Sequence, residues 1–197
     1  MPTCFLNARL LILGLLALAP ALAVFPKPVG AEEALKQSHA TAFDFGFTAI
    51  EGGPLPLSAY RGHPVLVVNT ASFCGFTPQY ADLEILWRRY RDRGLVVLGV
   101  PSNDFAQEPG SEAEVKKFCS SKFEVDFPLT TKNHVIGPEA HPFYRWIAEQ
   151  LGENGAPHWN FHKYLLAPDG TLAGAWPSRQ RPTDDAVTAA IEKLLGK

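Results

Sequence analysis

Two uninterrupted apolar runs, Pro-Val-Leu-Val-Val at residues 64–68 and Leu-Val-Val-Leu-Gly-Val at residues 95–100, flank one stretch of helical periodicity. Runs of this length, rich in β-branched residues, read as strands covered on both faces. Between them Leu83, Leu86, Trp87 and Tyr90 recur at helical spacing, with Arg and Glu residues on the other side. Thr77 and Pro78 supply a cap and a first helical residue, and Gly94 supplies the stop. Strand, helix, strand in that order is a βαβ unit, whose strands must lie parallel. The chain is therefore expected to build an α/β fold around this unit.

The flanking segments extend the pattern. Residues 43–47 alternate as an edge strand does, residues 51–54 form a turn, and residues 57–62 read as a short helical turn ended by glycine. Ser111-Glu112-Ala113-Glu114 is a capping box that opens a second helix, and residues 127–129 form a short extended piece. Residues 141–151 read as a helix with Phe143, Tyr144 and Ile147 inward. Residues 164–166 and 171–176, joined by Pro168-Asp169-Gly170, read as a β-hairpin. Thr183 and Asp184 cap a last helix running to residue 195. The order βαβ, helix, ββα predicts a thioredoxin-type fold: a central mixed sheet flanked by helices. The length of 197 residues fits one such domain.

The N-terminus has a different character. Arg9 precedes an apolar run over residues 10–23 that ends in Ala21-Leu22-Ala23, a small-x-small cleavage pattern, and Val29-Gly30-Ala31 is a second candidate. About 14 apolar residues are too few to span a bilayer, so residues 1–23 read as a secretory signal peptide. Residues 24–42 read as a linker and residues 43–197 as the folded domain. The mature protein is expected to be exported to the periplasm, with no stable membrane insertion after cleavage. Cys4 leaves with the signal, and Cys74 and Cys119 remain in an oxidising compartment. Two cysteines are too few for a disulfide framework and point to a reactive thiol or a redox pair. A net charge of −2 with no basic stripe argues against nucleic acid. His63, His134, His141, His158 and His162 lack metal-ligand spacing, so no metal or other cofactor is expected.

Cys74 lies where the first buried strand gives way to the helix at Thr77-Pro78. Unpaired N–H groups and the positive end of the helix dipole favour a thiolate there. The bland alternative is a small buried hydrophobe. The sequence Cys74-Gly75-Phe76-Thr77 is not Cys-x-x-Cys, so any chemistry starts from one thiol. Residues 101–110, Pro-Ser-Asn-Asp-Phe-Ala-Gln-Glu-Pro-Gly, follow the second parallel strand. Strand C-terminal ends are where α/β sheets place their sites, so the two loops should be neighbours. His158-Trp159-Asn160-Phe161 and residues 133–141 also carry polar and aromatic residues on loops.

Four ordered segments, residues 68–77, 103–110, 137–144 and 159–164, resemble the glutathione peroxidase family across about residues 43–195. The resemblance implies a thioredoxin fold and reduction of hydrogen peroxide and organic hydroperoxides, with glutathione or a thioredoxin-like protein as reductant. By position it implies that Cys74 is the peroxidatic residue and that Trp159 and Asn160 donate N–H groups to the thiolate and the leaving oxygen. Asp104 stands where the family has Gln. A carboxylate beside a thiolate opposes its charge, so Asp104 turns outward, is protonated, or yields its role to Gln107, which a loop one residue shorter would move inward. The resemblance also makes Cys119 a resolving candidate, one position before the family's; the alternative is a buried helix cysteine. An exported redox relay or peroxide sensor, passing oxidation to partner thiols, is the rival functional reading.

Overall fold

The computed structural model describes residue 1, residues 40–152 and residues 155–196. Residues 2–23 of the expected signal peptide, both candidate cleavage sites, Cys4 and residues 24–39 of the expected linker lie outside them. Residues Ser38–Lys197 form one compact unit.

Its centre is a four-stranded sheet. The strands are β3 (Val65–Thr70), β4 (Val96–Pro101), β5 (Lys163–Leu166) and β6 (Leu172–Trp176), in the order β4-β3-β5-β6. β3 and β4 are parallel, with Val67 opposite Leu98, and the other pairs are antiparallel. This is the mixed sheet expected from the βαβ unit and the hairpin. The helices are α1 (Gln79–Tyr90), α2 (Glu112–Phe123), α3 (Pro142–Leu151) and α4 (Asp185–Leu194).

Every residue of β3 is buried. Its side chains divide by parity, as a strand with both faces covered requires. Leu66 and Val68 join a cluster with Leu83, Leu86 and Tyr90 of α1 and Val187 and Ile191 of α4. Val65 and Val67 join a second cluster with Phe143, Tyr144 and Ile147 of α3. Each fully buried aliphatic side chain contributes about 1.5–3 kcal/mol. Gly99 in β4 admits the segment at residues 127–129, because a Cβ there would lie 2.5 Å from Leu129 Cδ2.

Two local readings need correction. The edge strand expected at 43–47 begins only at Gly46. Ala42–Asp44 is a 3₁₀ turn, because the Asp44 carboxylate accepts the Thr41 N–H at 2.9 Å and a local cap competes with the strand. β1 (Gly46–Thr48) then pairs with β2 (Pro54–Pro56) as a separate ribbon. Thr77 does not cap α1. Its hydroxyl donates to Ala71 O and accepts from Cys74 N, both at 2.9 Å, so it is used in the turn that carries Cys74. Ser111 and Glu114 do form the capping box that opens α2.

Lys163 in β5 is fully buried, and its ammonium donates to Phe161 O at 2.6 Å. Burial lowers its pKa from 10.5 to about 7, against the pull of Asp184 and Asp82. The unfolded chain then binds the proton more tightly than the folded one, so stability rises with pH from 7 upward. Burial raises Cys119 from 9.0 to about 11, which offsets that gain above pH 9 and levels the rise off. The urea midpoint should therefore increase from pH 7 to pH 9 in wild type and stay flatter over that interval in Lys163→Met. Equal slopes in the two proteins would show that Lys163 is not the group responsible.

Candidate active site

The C-terminal end of β3 joins three loops. Asn69 makes the join: its backbone carbonyl accepts Phe161 N–H at 2.6 Å and its side-chain oxygen accepts His162 N–H at 3.0 Å. Its side-chain NH₂ donates to Trp159 O at 3.1 Å. The turn bearing Cys74 is thereby tied to the segment bearing Trp159 and Asn160. Asn69 has no role in the sequence reading beyond its place in a motif; a buried Asn closing an apolar strand was the available signal.

Cys74 is nearly buried and free, and its Sγ accepts the Phe76 N–H at 3.4 Å. α1 starts only at Gln79, but consecutive turns run into it: Thr77 N–H donates to Cys74 O, Gln79 N–H to Phe76 O, and Tyr80 N–H to Thr77 O. The sulfur thus sits at the head of a helical path with one N–H aimed at it. A preorganised donor of that kind favours charge on the acceptor.

The loop after β4 is stitched to the two residues before Cys74. Phe73 N–H donates to Gln107 O at 3.1 Å, and Ser72 donates to Glu108 Oε2 from both its N–H (2.7 Å) and its hydroxyl (3.0 Å). Burial pushes the Glu108 carboxyl up, and the Ser72 bonds oppose that shift. Within the loop Ala106 takes a left-handed φ of 56°, unusual for a residue other than glycine. The tight turn brings Gln107 inward, where its side-chain oxygen accepts from Asn160 Nδ2 at 2.9 Å. Asn160 is fully buried, and its own side-chain oxygen has no hydrogen-bond partner. A buried orphan acceptor of this kind marks a place where function overrides stability.

Trp159 lies at the rim, 40 % exposed, its ring 5.2 Å from that of Phe105. Phe73, next to Cys74, is 66 % exposed and packs on Phe118 at 6.0 Å. Two partly exposed aromatic pairs, Phe73–Phe118 next to Cys74 and Phe105–Trp159, thus stand on the loops that the hydrogen bonds join.

Asp104 belongs to a different contact. Its carboxylate accepts the Val135 N–H at 2.6 Å and the Ile136 N–H at 3.1 Å, and it pairs with His134 Nδ1 at 2.7 Å. Burial works against its charge, but those two N–H groups and the His134 ring outweigh it and hold the carboxyl below its usual range. Of the three alternatives left open by the sequence, Asp104 turns away and Gln107 takes the inward place. Asp104 is thus a loop-tying residue and not a partner of the thiol.

Cys119 is fully buried on α2 and free. The structure keeps the two thiols unpaired. α2 buries only Val115 and Cys119, as few residues as α4 and fewer than α1 or α3.

Asp104→Ala should leave the pH profile of Cys74 alkylation unchanged while lowering stability by about 1–3 kcal/mol, because two backbone N–H groups lose their acceptor. Urea unfolding and iodoacetamide kinetics measure the two halves. A shifted alkylation profile would return Asp104 to the thiol.

The family description "Glutathione peroxidase" matches residues 42–148. The chain is 41 % identical over 168 residues to the hydroperoxy fatty acid reductase gpx1 of Synechocystis, covering 81 % of this chain and 98 % of the relative. It is 40 % identical over 150 residues to the glutathione peroxidase-like peroxiredoxin HYR1 of Saccharomyces cerevisiae, covering 74 % and 90 %. Among solved structures, apo Trgpx matches with a TM-score of 0.64 at 34 % identity, over 80 % of this chain and 97 % of that one. These relatives support thiol-dependent peroxide reduction and give no support to the relay alternative. With its thioredoxin fold and this breadth of similarity, the chain belongs to the glutathione peroxidase family and is a thiol-dependent peroxidase.

Proposed function

We propose that Cys74 is the thiol that reduces the peroxide, assisted by Trp159, Asn160 and Gln107. The observation that carries this reading is the direct Asn160–Gln107 hydrogen bond, with Gln107 itself bonded to the backbone next to Cys74. Cys74 Sγ, as thiolate, attacks one peroxide oxygen and the O–O bond breaks. The sulfur leaves the step as sulfenic acid, and the departing oxygen takes up the thiol's proton and leaves as water or an alcohol. The Phe76 N–H serves the sulfur. The indole N–H of Trp159 and the amide donors of Asn160 and Gln107 serve the developing negative oxygen.

Cys119 is the proposed resolving thiol. Its attack on the sulfenic acid forms a disulfide and releases water. Pairing requires the Cα atoms within about 7 Å, and both thiols are free and buried in this structure. Opening of α2 supplies the motion: the helix fully buries only Val115 and Cys119, and Ser120 and Ser121 are exposed beside Cys119. Opening also rehydrates a thiol whose ionisation burial opposes. A thioredoxin-like protein then reduces the disulfide. A cleft of about 410 Å³ beside the Cys74 turn, lined by Phe73, Val115 and Phe118 together with Ser72, Glu108 and Glu114, has apolar wall enough for an organic hydroperoxide's tail alongside hydrogen peroxide. The relative named hydroperoxy fatty acid reductase supports that class. Export after cleavage at Ala23 rests on the N-terminal pattern alone.

Cys74→Ser should abolish peroxide consumption, and Cys119→Ser should retain the first turnover but lose thioredoxin-driven cycling. Wild-type consumption in Cys74→Ser overturns the assignment. Peptide mapping after stoichiometric peroxide should show a Cys74–Cys119 disulfide. A lasting Cys74 sulfenic acid with Cys119 free, or a mixed disulfide with added glutathione, points to a one-cysteine cycle. The mass of protein taken from its source checks export, with a product starting at Met1 as the contrary result.

A further inference from the structure

Phe161 follows Asn160 in the chain and has a φ of 65°. For a bulky residue this left-handed conformation is a real outlier, of order 1–3 kcal/mol above the ordinary regions. Three contacts hold it there. Its N–H donates to Asn69 O at 2.6 Å, its carbonyl accepts from Lys163 Nζ at 2.6 Å, and its ring meets Tyr80 edge-on at 5.3 Å. The first comes from β3 and the third from α1. The second comes from a fully buried lysine that makes no ion pair among the described residues.

An ammonium inside a protein with only a carbonyl for company is unfavourable, and a methionine of similar shape would fit the same space without that penalty. The groups that face it do not remove the penalty. Asp82 is held by Arg181 through two hydrogen bonds, Asp184 accepts the Arg181 N–H, and His162 stacks on Tyr164 with its pKa lowered to about 4 by burial and by Lys163 itself. A costly group fixed to the most strained backbone of the site calls for a role there.

We propose that Lys163 is a positioning residue for the peroxide step: its hydrogen bond to the Phe161 carbonyl holds the left-handed turn that aims Trp159 and Asn160 at the reacting oxygen. Lys163 acts through Phe161 and not on the sulfur. The inference rests on Cys74 being the peroxide-reacting thiol.

The test compares wild type, Lys163→Met and Lys163→Arg in three measurements: single-turnover oxidation of Cys74 by hydrogen peroxide, the pH profile of Cys74 alkylation, and urea unfolding. In Lys163→Met the oxidation rate should fall about tenfold, as for a loss of alignment. Its alkylation midpoint should stay in place, and its urea midpoint should equal or exceed that of wild type. Lys163→Arg keeps a donor for the carbonyl and should oxidise within about threefold of wild type. Undiminished oxidation in Lys163→Met overturns the proposal. So does a rate loss explained by a shifted alkylation midpoint, which would mean that the charge acts on the sulfur. If Lys163→Met does not fold, Lys163→Arg decides alone: a rate near wild type supports the proposal and a tenfold loss overturns it. Wild-type protein whose Cys74 peroxide leaves unmodified overturns the assignment of Cys74, and this inference with it. A reactive wild type with an equally reactive Lys163→Met overturns only the role of Lys163.

Discussion

Asn69 fastens the site. It stands near the end of a strand whose every residue is buried, and its backbone carbonyl and both side-chain heteroatoms bond across to residues 159–162. A buried amide left without partners is destabilising, so these bonds specify one register between the Cys74 turn and the Trp159–Asn160 segment. The loop after β4 closes the triangle from the other side, through Gln107 to Asn160 and Phe73 and through Glu108 to Ser72. The thiol needs few contacts of its own because everything around it is held by hydrogen bonds between loops.

Rigidity on one side of Cys74 contrasts with looseness on the other. β3, β4 and β5 bury nearly all of their side chains, whereas α2 contributes two buried residues to the core. Local opening free energy follows buried contacts, so the helix carrying the second thiol is, with α4, one of the two described helices with the fewest buried residues to expose on opening. In the proposed cycle the donors that act on peroxide are fixed, and the resolving thiol sits on a helix with few buried residues.

Much of this architecture was legible in the residue pattern. The two apolar runs and the periodicity between them predicted β3, α1 and β4, because burial on both faces leaves a continuous hydrophobic signature. The capping box at Ser111 and the turn at Pro168-Asp169-Gly170 were equally plain, since each depends on neighbours in sequence. What escaped depends on partners distant in the chain. Thr77 looked like a helix cap and serves the cysteine turn. Asp104 looked like a member of the site, yet its carboxylate accepts from Val135 and Ile136 N–H, and Gln107 is the residue that meets Asn160. Lys163 in a hairpin strand gave no sign of burial, because a lysine in such a strand ordinarily faces water.

The burial of Cys119 sets the tempo of the proposed cycle. A thiol enclosed in the core reaches its target only when the helix opens, and that opening is a first-order event indifferent to peroxide concentration. Raising peroxide accelerates formation of the sulfenic acid but not its removal. Above the concentration at which the two rates cross, each sulfenic acid faces a second peroxide before its partner thiol arrives, and sulfinic acid accumulates irreversibly. In that cycle the packing of one helix fixes the oxidant dose that the protein survives.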